Sequence, residues 1–332
     1  MSLRLSVDEQ AWRAHVHATA SATRASGAAL VAVVKGNGYG FGRHFLAAEV
    51  AGWAEPASIA VGTVHELAGL ELAGNDQASS HDILVLTPGV HIDVPLGPGV
   101  VPTVGSIAHV DALRTAGWQG RVTVKLASSM RRYGVLPDEL PSLLSAVEQA
   151  GCEPCRFMIH PPLIGGHYPE SAAVAEVAEW LAYLPLGAVV SVSHLSPTGI
   201  GALVAAHTDH RFELRLGTAL WLGDKHMVQL NADVLDVRPV QAGDTAGYRG
   251  ATIAADGHLV MVSAGSAHGV APLADGRSPF HFARQRLTLL EPPHMHTSML
   301  FVPSGQECPG VGDRVDVQRP LISTAVDEWE WR

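Results

Sequence analysis

Between residues 29 and 216, short apolar or β-branched runs alternate with stretches that carry a helical period, and this alternation sets the expected architecture. Eight runs read as strands: Ala29–Val34, Ser58–Gly62, Asp82–Leu86, Val100–Thr103, Arg121–Leu126, Arg156–His160, Ala188–Ser193 and Phe212–Leu216. Most are apolar at nearly every position, as strands buried on both faces must be. A helix is expected from about Val7 to Ala25, with crossover helices over Gly42–Gly52, Thr63–Gly74, Ser106–Gly117, Asp138–Gly151 and Glu170–Leu184. Eight strands with intervening helices is the count of a (β/α)8 barrel of the TIM type. The period changes after Gly223, where short runs (Val234–Val237, Ala251–Ala254, Leu259–Val262, Phe282–Leu289, Met299–Phe301 and Arg314–Val317) follow one another without a helical period. That pattern predicts a C-terminal antiparallel β domain over 224–332 behind a barrel over 1–223.

Composition narrows the function. With 47% apolar and 16% charged residues in 332, the chain has the material for a large core and is not disordered. A net charge of −10 with no Lys/Arg stripe excludes the electrostatic footprint of a nucleic-acid binder, which leaves a small-molecule or protein partner. The amino terminus turns polar and acidic by Asp8-Glu9, and Pro, Gly and charges interrupt every later apolar stretch, so neither signal peptide nor membrane span is expected. Cys152, Cys155 and Cys308 are too few for a disulfide framework and fit a reducing cytoplasm. Cys152-Glu-Pro-Cys155 leads into an apolar strand rather than a strand-to-helix turn, which argues against a redox motif. Among eighteen histidines, His294-x-His296 and His207-x-x-His210 offer no matched set of three or four ligands, so no metal site is expected.

The most informative run is Val31-Ala-Val-Val-Lys35-Gly-Asn-Gly-Tyr39-Gly-Phe-Gly42. A lysine at the carboxyl end of a barrel strand, before a Gly-rich turn, sits at the mouth where such folds hold their reactive groups. A partly desolvated ammonium there loses its proton more easily and can form a Schiff base with a carbonyl.

This run resembles the K-x-N-x-Y-G-x-G of the alanine racemase family, and further matches follow in the family's order. Val61-Gly-Thr-Val-His-Glu66 is similar to its second strand and helix, and Val122-Thr-Val-Lys125-Leu-Ala-Ser-Ser-Met130-Arg-Arg132-Tyr-Gly134 to its K-x-D-T-G-M-x-R-x-G. Arg156-Phe-Met-Ile-His160, Ser193-His-Leu-Ser196 and Leu214-Arg215-Leu-Gly217-Thr218-Ala-Leu-Trp-Leu-Gly223 resemble, in turn, the strand ending in a ring-packing histidine, the phosphate turn and the R-P-G-x-x-L-Y-G. The resemblance implies an N-terminal barrel, a C-terminal β domain, a homodimer and a pyridoxal 5'-phosphate cofactor, with racemisation or epimerisation at the Cα of an amino acid or derivative. It implies that Lys35 holds the cofactor as a Schiff base and transfers a proton, and that Tyr39, Ser196, Gly217 and Thr218 hold the phosphate. By the same resemblance Arg132 faces the phenolic oxygen and the substrate, His160 packs on the pyridine ring, and Arg215 faces the ring nitrogen.

Racemisation needs acid/base groups on both faces of the reacting carbon, and the family's second base is a tyrosine from the partner's β domain, in G-Y-A-D-G. Here the matching run is Gly265-Ser266-Ala267-His268-Gly269, which makes Ser266 and His268 the candidates for that role. Tyr248 matches a different tyrosine position. Pro293-His294-Met295-His296-Thr297 stands where the family has C-M-D-Q, which makes Met295 a substrate-side residue. Ala127, Ser128, Leu195 and Leu216 also depart from the family pattern, and the chain ends before the position of the family's last phosphate-contacting tyrosine. Another reaction at Cα, such as decarboxylation or aldol cleavage, and a non-catalytic cofactor- or amino-acid-binding protein remain open on these residues.

Overall fold

The computed structural model describes residues 2–55, 57–70 and 82–332, which fall into two compact units. The first comprises His15–Gly38 and Gly42–Gly223. Its strands are Ala29–Val33, Ser58–Val61, Ile83–Val85, Val100–Val101 with Thr103–Val104, Arg121–Lys125, Glu153–Met158, Val189–Ser193 and Arg211–Leu216, and every neighbouring pair is parallel. Pro102, which has no N–H to give, splits the fourth strand in two. Its first half pairs with Ile83–Val85 and its second with Arg121–Lys125, while Arg211–Leu216 returns to Ala29–Val33, so the eight strands close into the expected barrel.

Crossover helices form at Arg43–Ala51, Ile107–Thr115, Leu140–Gln149, Glu170–Leu181 and Pro197–Ala206. Two connections differ. Of the helix expected over Thr63–Gly74, the structure has a 3-10 turn at Val64–Leu67, and residues 71–74 lie outside the described residues. Residues 86–99 form no helix, because Pro88, Pro95 and Pro98 interrupt any run long enough to nucleate one. The core packs unevenly around the barrel. Val31, Val33, Ala60, Leu84 and Val101 make an apolar cluster on strands one to four. Buried polar side chains concentrate instead on strands five to eight, at Thr123, Lys125, Arg156, Ser191, Ser193, Glu213 and Arg215. Arg156 and Glu213 neutralise one another there in a bidentate pair at 2.7 and 2.9 Å.

The second unit comprises Met1–Ala14, Tyr39–Phe41 and Asp224–Arg332. A single cut at 223/224 therefore does not divide the chain. Leu3–Val7, read in the sequence only as a polar amino terminus, is a strand antiparallel to Val228–Val240 and parallel to Glu328–Trp331, which adds one parallel pair to an otherwise antiparallel sheet. Its period of two was there to be read: Leu3, Leu5 and Val7 are fully buried, and Arg4 reaches Glu328 and Glu330. The thirteen-residue Val228–Val240 is the spine of this sheet, pairing with Leu3–Val7 and Arg314–Val317 along one part and with Gly257–Val262 along the other.

Candidate active site

Lys35 follows the first barrel strand, and the chain turns sharply behind it: the Gly38 N–H donates to the Lys35 carbonyl at 3.2 Å and Gly42 N–H to the Asn37 carbonyl at 3.2 Å. Gly38 has φ 62°, and a Cβ there would lie 2.5 Å from the Arg43 nitrogen, so the turn needs glycine. The Glu66 carboxylate holds this turn against the second strand end, accepting from the N–H groups of Gly36 (3.1 Å) and Gly62 (2.8 Å). Lys35 keeps access to solvent, yet its pKa is lowered, first by the atoms crowded around it and then by the charges of Arg132 and Arg215, with Glu66 offsetting part of the shift. An amine that sheds its proton more readily is a better nucleophile toward a carbonyl.

The cationic side chains at these strand ends come from separate elements. Lys125, 3% exposed, ends the fifth strand, and burial followed by the fields of Arg215 and Arg132 lowers its pKa to about 6. Arg132 rides on the loop that follows. The loop leaves and rejoins the strand through Ala127 N–H to the Val135 carbonyl and Val135 N–H to the Lys125 carbonyl, both 2.9 Å. Gly134 makes that return: its φ is 138°, and a Cβ would stand 2.5 Å from Leu126 main-chain atoms. Glu176 fastens the loop from outside by accepting from the Ser129 amide and hydroxyl, the Trp180 indole donates to the Ala127 carbonyl at 2.9 Å, and the Ser128 hydroxyl to the His160 carbonyl at 2.8 Å. Arg215, 4% exposed, donates to the carbonyls of Ser191 and Ile159 and to the Ser193 hydroxyl. Burial makes its charge costly and lowers its pKa, but a guanidinium starts so high that it stays protonated at neutral pH.

His160 bonds through Nδ1 to the Ser193 hydroxyl and packs against His194 at 4.4 Å between ring centroids. Burial first, then the neighbouring positive groups, lower its pKa to about 2, so its ring is neutral. Ser196 caps the helix Pro197–Ala206, accepting from the Gly199 N–H at 3.1 Å. Its own N–H and O–H donate to Glu170 at 2.5 and 3.1 Å, so a carboxylate already stands at this turn. Gly217 and Thr218 open a single short helical turn after the last strand, whose first N–H groups have no acceptor within the helix. The first unit thus brings Lys35, Arg132, His160 and Arg215 into one electrostatic neighbourhood. Glu66 reaches Gly36 across 30 residues, Glu170 reaches Ser196 across 26 and Glu176 reaches Ser129 across 47, and His194 packs on His160 from the next strand end, contacts that spacing alone does not reveal.

The remaining sequence-derived candidates belong to the second unit. Tyr39, buried with φ 56°, groups with it rather than with Lys35. Ser266 is exposed on a 3-10 turn, and Met295 is 66% exposed. His268 is buried with both ring nitrogens engaged: Nδ1 accepts the Gly265 N–H at 3.1 Å, and Nε2 faces Asp327 at 3.2 Å.

The model of the alanine racemase N-terminal domain family matches residues 7–225. The chain belongs to the alanine racemase family. Relatives include the alanine racemase of Mycobacterium tuberculosis, 28% identical over 308 residues that cover 86% of this chain and 73% of that protein. That of Mycolicibacterium vanbaalenii is 30% identical over 271 residues, covering 73% and 67%. Among solved structures, the alanine racemase of Bartonella henselae with covalently bound pyridoxal phosphate superposes with a TM-score of 0.73 at 18% identity, covering all of both chains, a likeness that shows the fold. The family assignment makes this an isomerase-type enzyme built on a TIM-like barrel followed by a β domain.

Proposed function

We propose that this member of the alanine racemase family binds pyridoxal 5'-phosphate at Lys35 and racemises or epimerises an amino acid at Cα, as a cytoplasmic homodimer. The single observation behind the reading is the lysine at the strand end, its pKa lowered by its surroundings and by the charges of Arg132 and Arg215. The donor set fits the cofactor: an amine ready to attack an aldehyde, cations to face a phosphate and a carboxylate, and main-chain N–H groups at Gly217 and Thr218. Ser196 fits less well, because its donors already serve Glu170.

When bound, pyridoxal phosphate withdraws electrons from the substrate's Cα and makes that proton acidic. Lys35 would hold the cofactor, and its amine would take or return the Cα proton on its own face. Arg215 is fixed by main-chain carbonyls, so it presents a protonated guanidinium that donates hydrogen bonds without giving up a proton. His160, held neutral, offers an uncharged ring face for packing. Arg132, on its fastened loop, supplies a charge for the substrate carboxylate. On the second face the resemblance points to residues 265–269 of a partner subunit, where Ser266 stands in place of the family's tyrosine and a serine hydroxyl is a poor base without an activating neighbour.

Borohydride treatment of the pyridoxal-phosphate-loaded protein tests the reading. The expected result is irreversible attachment to the peptide that contains Lys35, absent in Lys35→Ala. A protein that takes up no cofactor, or that carries it on another peptide, overturns the proposal.

A further inference from the structure

His194 stands in the first unit at the barrel mouth, without a part in the proposed function. It follows the seventh strand, whose last residue Ser193 pairs with Arg215 on the eighth, and it is half-buried with φ 67°. A side chain held in the left-handed region costs backbone energy, and such positions cluster where a group has to be aimed. Its Nδ1 lies 2.9 Å from the Pro161 carbonyl, and its ring packs on His160, which bonds in turn to the Ser193 hydroxyl. A carbonyl only accepts, so Nδ1 carries the proton of the neutral ring and Nε2 has none. Burial lowers the His194 pKa, the Pro161 and Pro162 carbonyls offset part of that, and the charges of Arg215 and Lys35 lower it further, so the ring is neutral at pH 7.

The turn two residues further on is already filled. Ser196 donates its N–H and O–H to Glu170 at 2.5 and 3.1 Å and accepts the Gly199 N–H at 3.1 Å. That carboxylate leans over the first turn of the helix Pro197–Ala206, where a Cβ on Gly199 would lie 2.5 Å from its Oε1. A phosphate brought to Ser196 meets a negative charge instead of donors. At His194 the field has the opposite sign, since the charges that act on it are those of Arg215 and Lys35. Barrels of this type hold phosphate on the loops after the seventh and eighth strands, and His194 opens the first of these loops.

We propose that His194 binds the phosphate of pyridoxal phosphate as an imidazolium, its Nε2–H donating to a phosphate oxygen while Nδ1–H stays on the Pro161 carbonyl. The proposal rests on the cofactor reading above and deepens it. Arg215 and Lys35 disfavour a positive ring, whereas a phosphate dianion favours one, so binding draws a proton from solvent onto Nε2. His160, packed against the ring, stays neutral and takes no part in that exchange. The donor that Ser196 spends on Glu170 is thereby supplied from two residues earlier in the chain.

Absorbance titration of cofactor-free protein compares pyridoxal phosphate with pyridoxal, which has the ring and the aldehyde but no phosphate. His194→Gln is expected to weaken pyridoxal phosphate by about 10-fold or more, the scale of one hydrogen bond between charged groups, and to leave pyridoxal unchanged. A merely structural role would weaken both. Titration calorimetry at pH 7 in buffers of different ionisation enthalpy reads the proton. The wild type is expected to take up about one proton more per pyridoxal phosphate than His194→Gln does. Should His194→Gln fail to fold, His194→Gly, which accepts φ 67° without strain, carries the same comparisons. Equal binding of pyridoxal phosphate by wild type and variant, equal weakening of both ligands, or identical proton uptake overturns the inference, and the proposed function stands as long as borohydride still fixes the cofactor to Lys35. A wild type that fixes neither ligand to Lys35 overturns the proposed function and this inference with it.

Discussion

Lys125 gives the sharpest test of the electrostatics at the barrel mouth. It is 3% exposed and has two arginines as its dominant charged neighbours, and its pKa falls from 10.5 to about 6. In the unfolded chain the same amine holds its proton until far higher pH. From about pH 6 up to that unfolded value the unfolded state therefore binds more protons than the folded one, and stability rises with pH. One proton's difference is worth about 1.4 kcal/mol per pH unit. Lys125→Met keeps the length and packing of the side chain and removes its titration. The stability of the wild type relative to Lys125→Met should therefore rise by about 2.7 kcal/mol between pH 7 and pH 9. Urea denaturation of cofactor-free protein at a series of pH values, followed by circular dichroism, measures the difference directly. A stability difference that stays flat across that range would refute the reasoning, because it would mean that an anion compensates the lysine and keeps it charged in the folded state.

Two further outcomes follow from the geometry. Glu170→Gln removes a carboxylate from the Ser196 turn, so pyridoxal phosphate should bind more tightly, by roughly fivefold for ~1 kcal/mol of relieved repulsion, as read by absorbance titration; unchanged or weaker binding contradicts a shared anion position. Gly134→Ala forces a Cβ against Leu126 at φ 138°, and should cost roughly 1–3 kcal/mol in chemical denaturation while raising KM more than it lowers kcat, because the loop carrying Arg132 shifts; a variant as stable as the wild type would show that the loop closes another way.

The barrel was legible in the sequence because strands buried on both faces must be apolar almost throughout and because Gly and Pro mark where helices stop. Lys35 was legible for a related reason: a charged residue followed by glycines at the end of such a run has few places to go other than the mouth. The strand Leu3–Val7 was missed although its alternation was present, since five residues at a terminus acquire meaning only from partners more than two hundred positions away. What tertiary structure decided was electrostatic. No spacing reveals that Arg132 and Arg215 act together on Lys35, that Glu170 captures the donors of Ser196, or that His268 spends both nitrogens within its own surroundings. Local sequence determines which residues are buried and which turn the chain. Protonation depends on the distances between groups carried by different strands and loops, and those distances exist only once the chain has folded.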